Sequence, residues 1–240
     1  MLDVIIPCVP AHAKHLPDVL RSIRQNTMAP DHVIVALSET PDAKCVAMRD
    51  TLQRALGDDI PLRMTCTEAR ANASQNRNRG ARLSTADLLM FFDADDLMLR
   101  GRIAALVAAL RAEGADAVLH AFTRDPTYVE SGSEVSAPLL ANDYPAGTLA
   151  HGHGTYTRAS FWEMGGYPES LALAEDTTLK HRYLSAGKRV VVVPRKLSLY
   201  RQHLSNDFRS RLRVWCRENG RVLVVLLILI AMVAFVVVRY

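Results

Sequence analysis

The chain has 240 residues, of which 49% are hydrophobic and 22% charged; this balance is typical of a globular protein and excludes a disordered one. The length accommodates one substantial α/β domain or two small ones. The net charge of +4 comes from residues 207–240, which hold six basic and two acidic residues, so the count gives no support for a nucleic-acid-binding surface on the balanced remainder.

Strand and helix signals alternate along the first half of the chain. Continuous apolar or β-branched runs predict strands at 3–7, 32–37 and 88–92, and a further strand is expected at 62–67. Apolar residues repeating on one face predict helices at 16–26 and 41–56. Further helices are expected at 74–84, capped by Ser74, and at 100–113, which is alanine-rich and ended by Gly114. On the second helix, Ala43, Val46, Ala47 and Leu52 fall on one predicted apolar face. Strands without a polar face, each followed by a helix, indicate an α/β fold with a mostly parallel sheet covered by helices.

The second half is less regular. Residues 127–158 are rich in Gly, Pro and Ser and predict only short strands and turns. A helix is expected at 175–186, a strand at 189–193 and an extended piece at 197–202. These elements complete one mixed domain over residues 1–206, and such sheets bind ligands beyond the carboxyl ends of their strands.

A sharp change in composition follows this domain. Residues 207–221 are basic, and residues 222–238 are 17 consecutive apolar residues. As a helix this run spans roughly 26 Å, enough to cross a thin bilayer core. We expect a basic juxtamembrane segment and a single-pass transmembrane tail anchor, with the globular domain facing the cytosol because no signal peptide precedes the first strand. The alternatives are a buried core helix and a helix lying against the membrane.

The four cysteines, Cys8, Cys45, Cys66 and Cys216, are scattered without CxxC spacing. Their number leaves disulfides open, but nothing in the spacing indicates a disulfide framework or a zinc site.

Three carboxylates follow directly on the strand predicted at 88–92. Asp93, Asp95 and Asp96 would be costly at the end of a buried strand unless a cation or a partner neutralises them. The two-residue period of a strand would place Asp93 and Asp95 on one side, where they could share a divalent cation. The alternative is a structural one, in which Asp95 or Asp96 caps the next helix.

The chain resembles the inverting glycosyltransferases of family 2, which have the GT-A fold. The resemblance covers nearly all of residues 2–206. It rests on short motifs in a specific order: DVIIP, LxxVLxSIxxQ, PDHVIV, NRNRG, FFDADD, GGY, an ED pair with an arginine six residues on, and YRQH.

The resemblance implies roles for the carboxylates and one histidine. Asp93 and Asp95 would bind the donor and a divalent metal, and His203 would complete the metal shell; an imidazole ligand suits Mn²⁺ better than Mg²⁺. In the Glu175–Asp176 pair, Asp176 would be the base that deprotonates the acceptor hydroxyl. Without the resemblance, this pair is the acidic first turn of a helix.

The resemblance also implies a donor pocket that includes Pro7 at the end of the first strand and Arg77, whose guanidinium can pair with diphosphate oxygens. The alternative for Arg77 is a solvated helix face. The acidic pair that often reads the nucleobase is replaced here by Leu37 and Ser38, so Ser38 and the neighbouring Glu39 are the candidate base contacts.

Four further residues are candidates for the acceptor side. His151 and His153 lie in a Gly-rich loop, where a metal-binding pair would lack an evident third ligand, and Gly165 and Gly166 belong to the GGY motif.

The leading hypothesis is therefore a metal-dependent inverting glycosyltransferase that uses Mn²⁺ or Mg²⁺. It would move a sugar from a nucleoside-diphosphate donor, in the first instance a UDP-sugar, to a carbohydrate or lipid-linked hydroxyl. One alternative is an inactive relative that binds partners at a membrane. The other is a sugar nucleotidyltransferase, although the segment CVPAHAKH after the first strand lacks the glycines of such a phosphate loop.

Overall fold

The apolar runs form the strands and helices of an α/β domain. A computed structural model describes residues 1–130, 139–140, 149–171 and 173–201. The strands are β1 (Leu2–Cys8), β2 (His32–Leu37), β3 (Leu62–Cys66), β4 (Leu88–Phe91), β5 (Leu97–Met98), β6 (Ala117–Thr123), β7 (Leu139–Leu140), β8 (Thr155–Thr157) and β9 (Val190–Leu199). The helices are α1 (Leu16–Arg24), α2 (Asp42–Leu56), α3 (Ala73–Leu83), α4 (Arg102–Ala112), α5 (Arg158–Glu163) and α6 (Glu175–Ser185).

Within the described residues, nine strands form one mixed sheet. Its order is β3-β2-β1-β4-β8-β6-β9-β5, and β7 pairs with β9 outside this path. The half formed by β3, β2, β1 and β4 is parallel, as expected for strands joined by helices. β8 is antiparallel to both β4 and β6. Parallel strands joined in this way bring the carboxyl ends of β1, β2 and β4 to one edge of the sheet.

Helices cover both faces of the sheet, so successive side chains of a central strand enter different cores. Val4 and Ile6 of β1 pack in the core formed with α1, α2 and α4. Ile5 between them packs in a second core with α3, α5 and α6. All seven residues of β1 are buried, which is why its sequence is apolar without alternation apart from Asp3. The carboxylate of Asp3 accepts a hydrogen bond from Ser84 and lies 3.0 Å from Nδ1 of His32.

The first half of α2 departs from the predicted packing. Leu52 and Leu56 are buried, but Val46 is 71% exposed, and Ala43 and Ala47 are exposed as well, so the predicted apolar face of this helix is wrong over its first turns. A disulfide between Cys45 and Cys66 joins this part of the helix to β3, a pairing that the cysteine spacing did not indicate.

The predicted tail lies outside the described residues. This applies to the basic segment 207–221, to the apolar run 222–238 and to His203. In the part of the chain that is described, no helix has the length and apolar character needed to cross a bilayer.

Candidate functional site

The carboxylates after β4 lie in a turn and not in a strand. β4 ends at Phe91, so the alternation of strand side chains does not extend to Asp93 and Asp95. The next helix begins at Arg102 with Gly101 as its N-cap and no side-chain cap. The structural alternative, in which Asp95 or Asp96 caps that helix, is therefore wrong.

Asp93, Asp96 and His153 converge at this edge of the sheet. The Nε2 atom of His153 lies 3.2 Å from Oδ2 of Asp96 and 3.5 Å from Oδ2 of Asp93, and one ligand atom from each of the three residues lies within 4.8 Å of the others. His153 is fully buried, and its Nε2 forms no hydrogen bond with any described residue. Two carboxylate oxygens and an unprotonated imidazole nitrogen are a donor set that suits Mn²⁺. These residues fit a divalent cation, which offsets the charge of the converging carboxylates.

Burial and mutual charge set the protonation of this cluster. Burial would raise the pKa of Asp93, but the Arg77 guanidinium and His153 outweigh it and hold that pKa well below its usual range. Burial raises the pKa of Asp96, with a smaller opposing effect from His153. Burial lowers the pKa of His153, yet the adjacent Asp93 and Asp96 reverse the shift and raise it. In the absence of a cation, a proton on His153 therefore serves the same neutralising purpose.

Arg77 connects this cluster to the acidic pair at the start of α6. It lies on α3, whose N-terminus is fixed by a capping box between Asn72 and Gln75 and not by Ser74 as predicted. Nη2 of Arg77 donates to Asp93 at 2.8 Å, and Nη1 donates to Glu175 at 2.8 Å. The side chain is buried, so the interpretation of Arg77 as part of a solvated helix face is wrong.

Glu175 and Asp176 form the first turn of α6, as the helix interpretation of this pair expects. The residue before them, Ala174, has a left-handed backbone with φ of 61°. A carboxylate oxygen of Asp176 accepts a hydrogen bond from the backbone N–H of Thr177 at 2.6 Å. Because Arg77 holds both Glu175 and Asp93, the N-terminus of α6 lies beside the acidic run.

Asp95 is placed apart from this cluster. Its Oδ2 lies 3.3 Å from Nδ1 of His12, in the loop after β1. The structure therefore groups Asp93 with Asp96 and His153. It groups Asp95 with the loop that follows β1, the strand that pairs in parallel with β4.

The candidate donor residues occupy the ends of β1 and β2. Pro7 is buried in β1, opposite Ala36. Ser38 is fully buried, and its hydroxyl accepts a hydrogen bond from Asn76 at 3.2 Å, so its side chain supports the fold locally. Glu39 is exposed and has a φ of 52°, a conformation that is rare for a residue other than glycine and that often marks functional sites.

The candidate acceptor residues separate into two groups. His151 is partly buried in the short 3-10 helix that carries His153, and it does not belong to the metal-binding group. Gly165 and Gly166 have φ values of 79° and 66°, so they turn the chain after α5 in a conformation that favours glycine. A Cβ atom on Gly166 would lie 2.8 Å from Oδ1 of Asn78.

A family model of glycosyl transferase family 2 matches residues 3–164. The chain belongs to this family. The match includes β1 to β4, Arg77, the carboxylates at 93–96 and His153, and the recognition from sequence motifs is confirmed.

Solved structures of glycosyltransferases share the fold, as the GT-A prediction requires. Residues 1–349 of TarS from S. aureus in complex with UDP superpose with a TM-score of 0.63 at 16% identity, over 84% of this chain and 60% of that one. The same fragment with UDP-GlcNAc superposes with a TM-score of 0.65 at 15% identity, over 84% of this chain and 58% of that one. The mannosyltransferase PcManGT from Pyrobaculum calidifontis in complex with GDP-Man and Mn²⁺ superposes with a TM-score of 0.62 at 19% identity, over 83% of this chain and 56% of that one.

The chain thus spans less than two thirds of these structures. Among curated proteins, none matches its sequence.

Two residues of this site cannot be assigned from the sequence. The acidic run indicates no role for Asp96 beyond helix capping. The Gly-rich loop predicts His153 only as an acceptor contact, because no third metal ligand lies near it in sequence; Asp93 and Asp96, some sixty residues earlier in the chain, are the missing candidate ligands. Sequence spacing cannot reveal a contact of that separation without the pairing of β4 with β8, which brings the two segments together.

Proposed function

We propose that the chain is a divalent-metal-dependent inverting glycosyltransferase that transfers a sugar from a nucleoside-diphosphate donor to a hydroxyl acceptor. The observation that carries this proposal is the double ion pair of Arg77. One buried guanidinium holds Asp93 of the acidic run and Glu175 of the acidic pair, so the two motifs belong to one site.

The cation would be held by the carboxylates after β4 together with His153. Asp93 and Asp96 already converge on the Nε2 atom of His153, and Asp95 supplies a further carboxylate on the side of His12. A bound Mn²⁺ or Mg²⁺ offsets the negative charge that develops on a leaving diphosphate. That PcManGT was solved with GDP-Man and Mn²⁺ supports this choice of cofactor.

The donor and the base would lie on opposite sides of the reacting sugar. The loops after β1 and β2, with Glu39 exposed among them, would receive the nucleotide. Asp176 would accept the proton of the acceptor hydroxyl, because an alcohol is a weak nucleophile until a base assists it. Attack from the side opposite the diphosphate inverts the anomeric carbon. Structures of TarS with UDP and UDP-GlcNAc support a nucleotide-sugar donor and make a UDP-sugar the first to test.

The test uses the full chain in detergent and a panel of nucleotide sugars, with hydrolysis and donor binding measured in Mn²⁺ and in EDTA. We expect one donor to bind in a metal-dependent manner. Replacement of the base, Asp176→Asn, should lower the transfer rate by about 10²–10⁴-fold while metal-dependent donor binding persists.

The matched control is Asp87→Asn, which changes a carboxylate that is paired with the N-terminal amine at the other end of β4. It should leave transfer unchanged. Unaltered transfer by Asp176→Asn would exclude Asp176 as the base. If no nucleotide sugar binds in either condition, the chain is a binding protein with this fold and not an enzyme.

A further inference from the structure

A chain of buried polar side chains lies beneath the candidate metal cluster. Arg102 of α4, His120 of β6, Ser198 of β9 and His153 are each 0% exposed, although they come from four separate segments. Buried polar groups are costly unless each has a hydrogen-bond partner, so a continuous set of them in a core requires an explanation.

Arg102 fixes the tautomer of His120. Because a guanidinium only donates hydrogen bonds, the contact of 3.0 Å from Nε of Arg102 makes Nε2 of His120 an acceptor. The other ring nitrogen, Nδ1, lies 2.7 Å from the carbonyl oxygen of Ala121, which only accepts. His120 is therefore neutral, with its proton on Nδ1.

Ser198 transmits this orientation to His153. Its hydroxyl lies 3.4 Å from Nε2 of His120 and 3.0 Å from Nδ1 of His153. Nε2 of His120 carries no proton, so the Ser198 hydroxyl can only donate toward it, sharing its lone pair with Arg102. The oxygen of Ser198 is then left to accept the Nδ1–H of His153. When a cation replaces the proton between the carboxylates, the remaining proton of His153 would lie on Nδ1, and the lone pair of Nε2 would face the gap between Asp93 and Asp96.

Arg102 also holds the backbone on both sides of the cluster. Its Nη2 donates to the carbonyl of Phe91 at 3.1 Å and to the carbonyl of His153 at 2.6 Å. Its guanidinium lies 4.7 Å from the centre of the Phe92 ring. One cation therefore joins the end of β4, which leads to the carboxylates, to the turn that carries the imidazole.

We propose that Ser198, set by His120 and Arg102, is a positioning residue that holds His153 with Nε2 available to a divalent cation. The inference rests on the proposed metal dependence. A histidine that binds a metal commonly donates its other ring N–H to a neighbouring group, and loss of such a neighbour typically lowers metal affinity about 10–100-fold.

The experiment is a Mn²⁺ titration of the full chain in detergent without any donor, followed by electron paramagnetic resonance. Wild type should bind Mn²⁺ and show ¹⁴N modulation of the Mn²⁺ echo signal from His153. Ser198→Ala should bind Mn²⁺ at least about tenfold more weakly and lose most of that nitrogen signal. Ser198→Thr, which retains the hydroxyl, should restore the nitrogen signal and most of the affinity.

Ser160→Ala is the matched control, since Ser160 is also a buried, hydrogen-bonded serine but contacts Tyr183 and Thr157 instead of the cluster. It should bind Mn²⁺ as wild type does. Melting temperatures in EDTA separate loss of fold from loss of the site.

Two results would overturn the inference in distinguishable ways. Equal Mn²⁺ affinity and nitrogen signal in wild type and a folded Ser198→Ala variant would exclude the role of Ser198 and leave the proposed function intact. Absence of Mn²⁺ binding in wild type would remove the metal from the proposed function as well.

Discussion

Arg77 is the residue on which the two acidic motifs depend. Its side chain is 4% exposed, and its two carboxylate partners, Asp93 and Glu175, are 31% and 14% exposed. Removal of one partner of a buried ion pair is far more costly than removal of the whole pair, because it leaves an uncompensated charge in a poorly solvated place. Here the loss of one guanidinium would leave two such charges side by side.

Arg77→Met should therefore lower the free energy of unfolding by about 3–5 kcal/mol in the absence of metal. Urea denaturation of the variant and of wild type in EDTA measures this difference in the free energy of unfolding. The control is Arg82→Met on the same helix, since Arg82 forms an exposed ion pair with Glu169 and surface pairs contribute about 0–1 kcal/mol. Equal losses in the two variants would show that the structure overstates the role of the Arg77 pairs.

Asp95 and Asp96 are expected to differ in how much each contributes to metal binding. The family resemblance makes Asp95 a metal ligand together with Asp93 and His203. The geometry instead places Asp96 against His153 and Asp95 against His12. We expect Asp96→Asn to weaken Mn²⁺ binding more than Asp95→Asn does, because it removes a charged ligand that is already in place.

Isothermal titration of each variant with Mn²⁺, with and without the donor, makes this comparison. Both variants should keep the melting temperature of wild type in EDTA to within a few degrees. A larger loss in Asp95→Asn would mean that donor or metal binding rearranges the turn after β4.

At the scale of elements, α2 has the smallest buried fraction of the six α-helices in the described residues. Only Leu52 and Leu56 are buried along its 15 residues, both in its second half. The disulfide from Cys45 to Cys66 holds the first half against the edge strand β3. A crosslink that closes a loop of about 20 residues typically stabilises a protein by about 3 kcal/mol, chiefly through the unfolded chain.

Reduction of this disulfide should lower stability by about 3 kcal/mol and increase amide hydrogen exchange at 42–50 more than in β1 or β2. Denaturation and exchange measured with and without a phosphine reductant test this. A double variant, Cys45→Ala with Cys66→Ala, should resemble the reduced protein and no longer respond to the reductant. A wild-type protein that is indifferent to the reductant would contradict the expected role of the bond.

The elements differ in how far their sequences predict them. β1 to β4 are predicted to within one residue at each end. β1, β2 and β4 are buried strands with largely apolar sequences and clear ends, whereas β3 is only partly buried and carries Arg63. β6 was not predicted, since His120 interrupts its apolar run for the sake of a hydrogen-bond network that only the fold assembles. β9 was predicted as two pieces; Pro194 and two basic residues interrupt it, and the strand continues past them through a register shift.

The candidate site likewise contains residues that the sequence predicts and residues that only the fold brings together. Asp93 and Glu175 are recognisable because each lies in a short motif at the end of a strand or the start of a helix, and Arg77 because it belongs to the NRNRG motif within α3. The grouping of Asp96 with His153 depends on a turn and on strand pairing, and neither leaves a periodic signal in the sequence.

At the scale of the whole molecule, residues 207–238 pose a question separate from the chemistry. The run at 222–238 has no polar residue, and basic residues precede it, which favours anchoring with those residues at the cytoplasmic leaflet. We propose that this segment tethers the domain to a membrane. The disulfide favours an oxidising compartment instead, because cytosolic thiols are normally kept reduced. Alkylation of Cys45 and Cys66 in freshly lysed cells would show whether the two thiols are free, as in the cytosol, or joined in the disulfide, as in an oxidising compartment.

The anchor itself can be tested with one charge at its centre. The full chain should remain in the membrane pellet after carbonate extraction. Ile230→Arg should release much of it, because an arginine at the middle of a membrane helix costs about 2.5–3.5 kcal/mol, and a run of 17 residues has little apolar length to spare. Ile230→Leu at the same position should stay in the pellet. If wild type is recovered without detergent in the supernatant, the run is not an anchor.

Glycosyl transfer measured on both variants in detergent would show whether the tether matters to transfer or only to location. We expect equal transfer, since the candidate site at Asp93, Asp96 and His153 is built from residues that precede the run at 222–238.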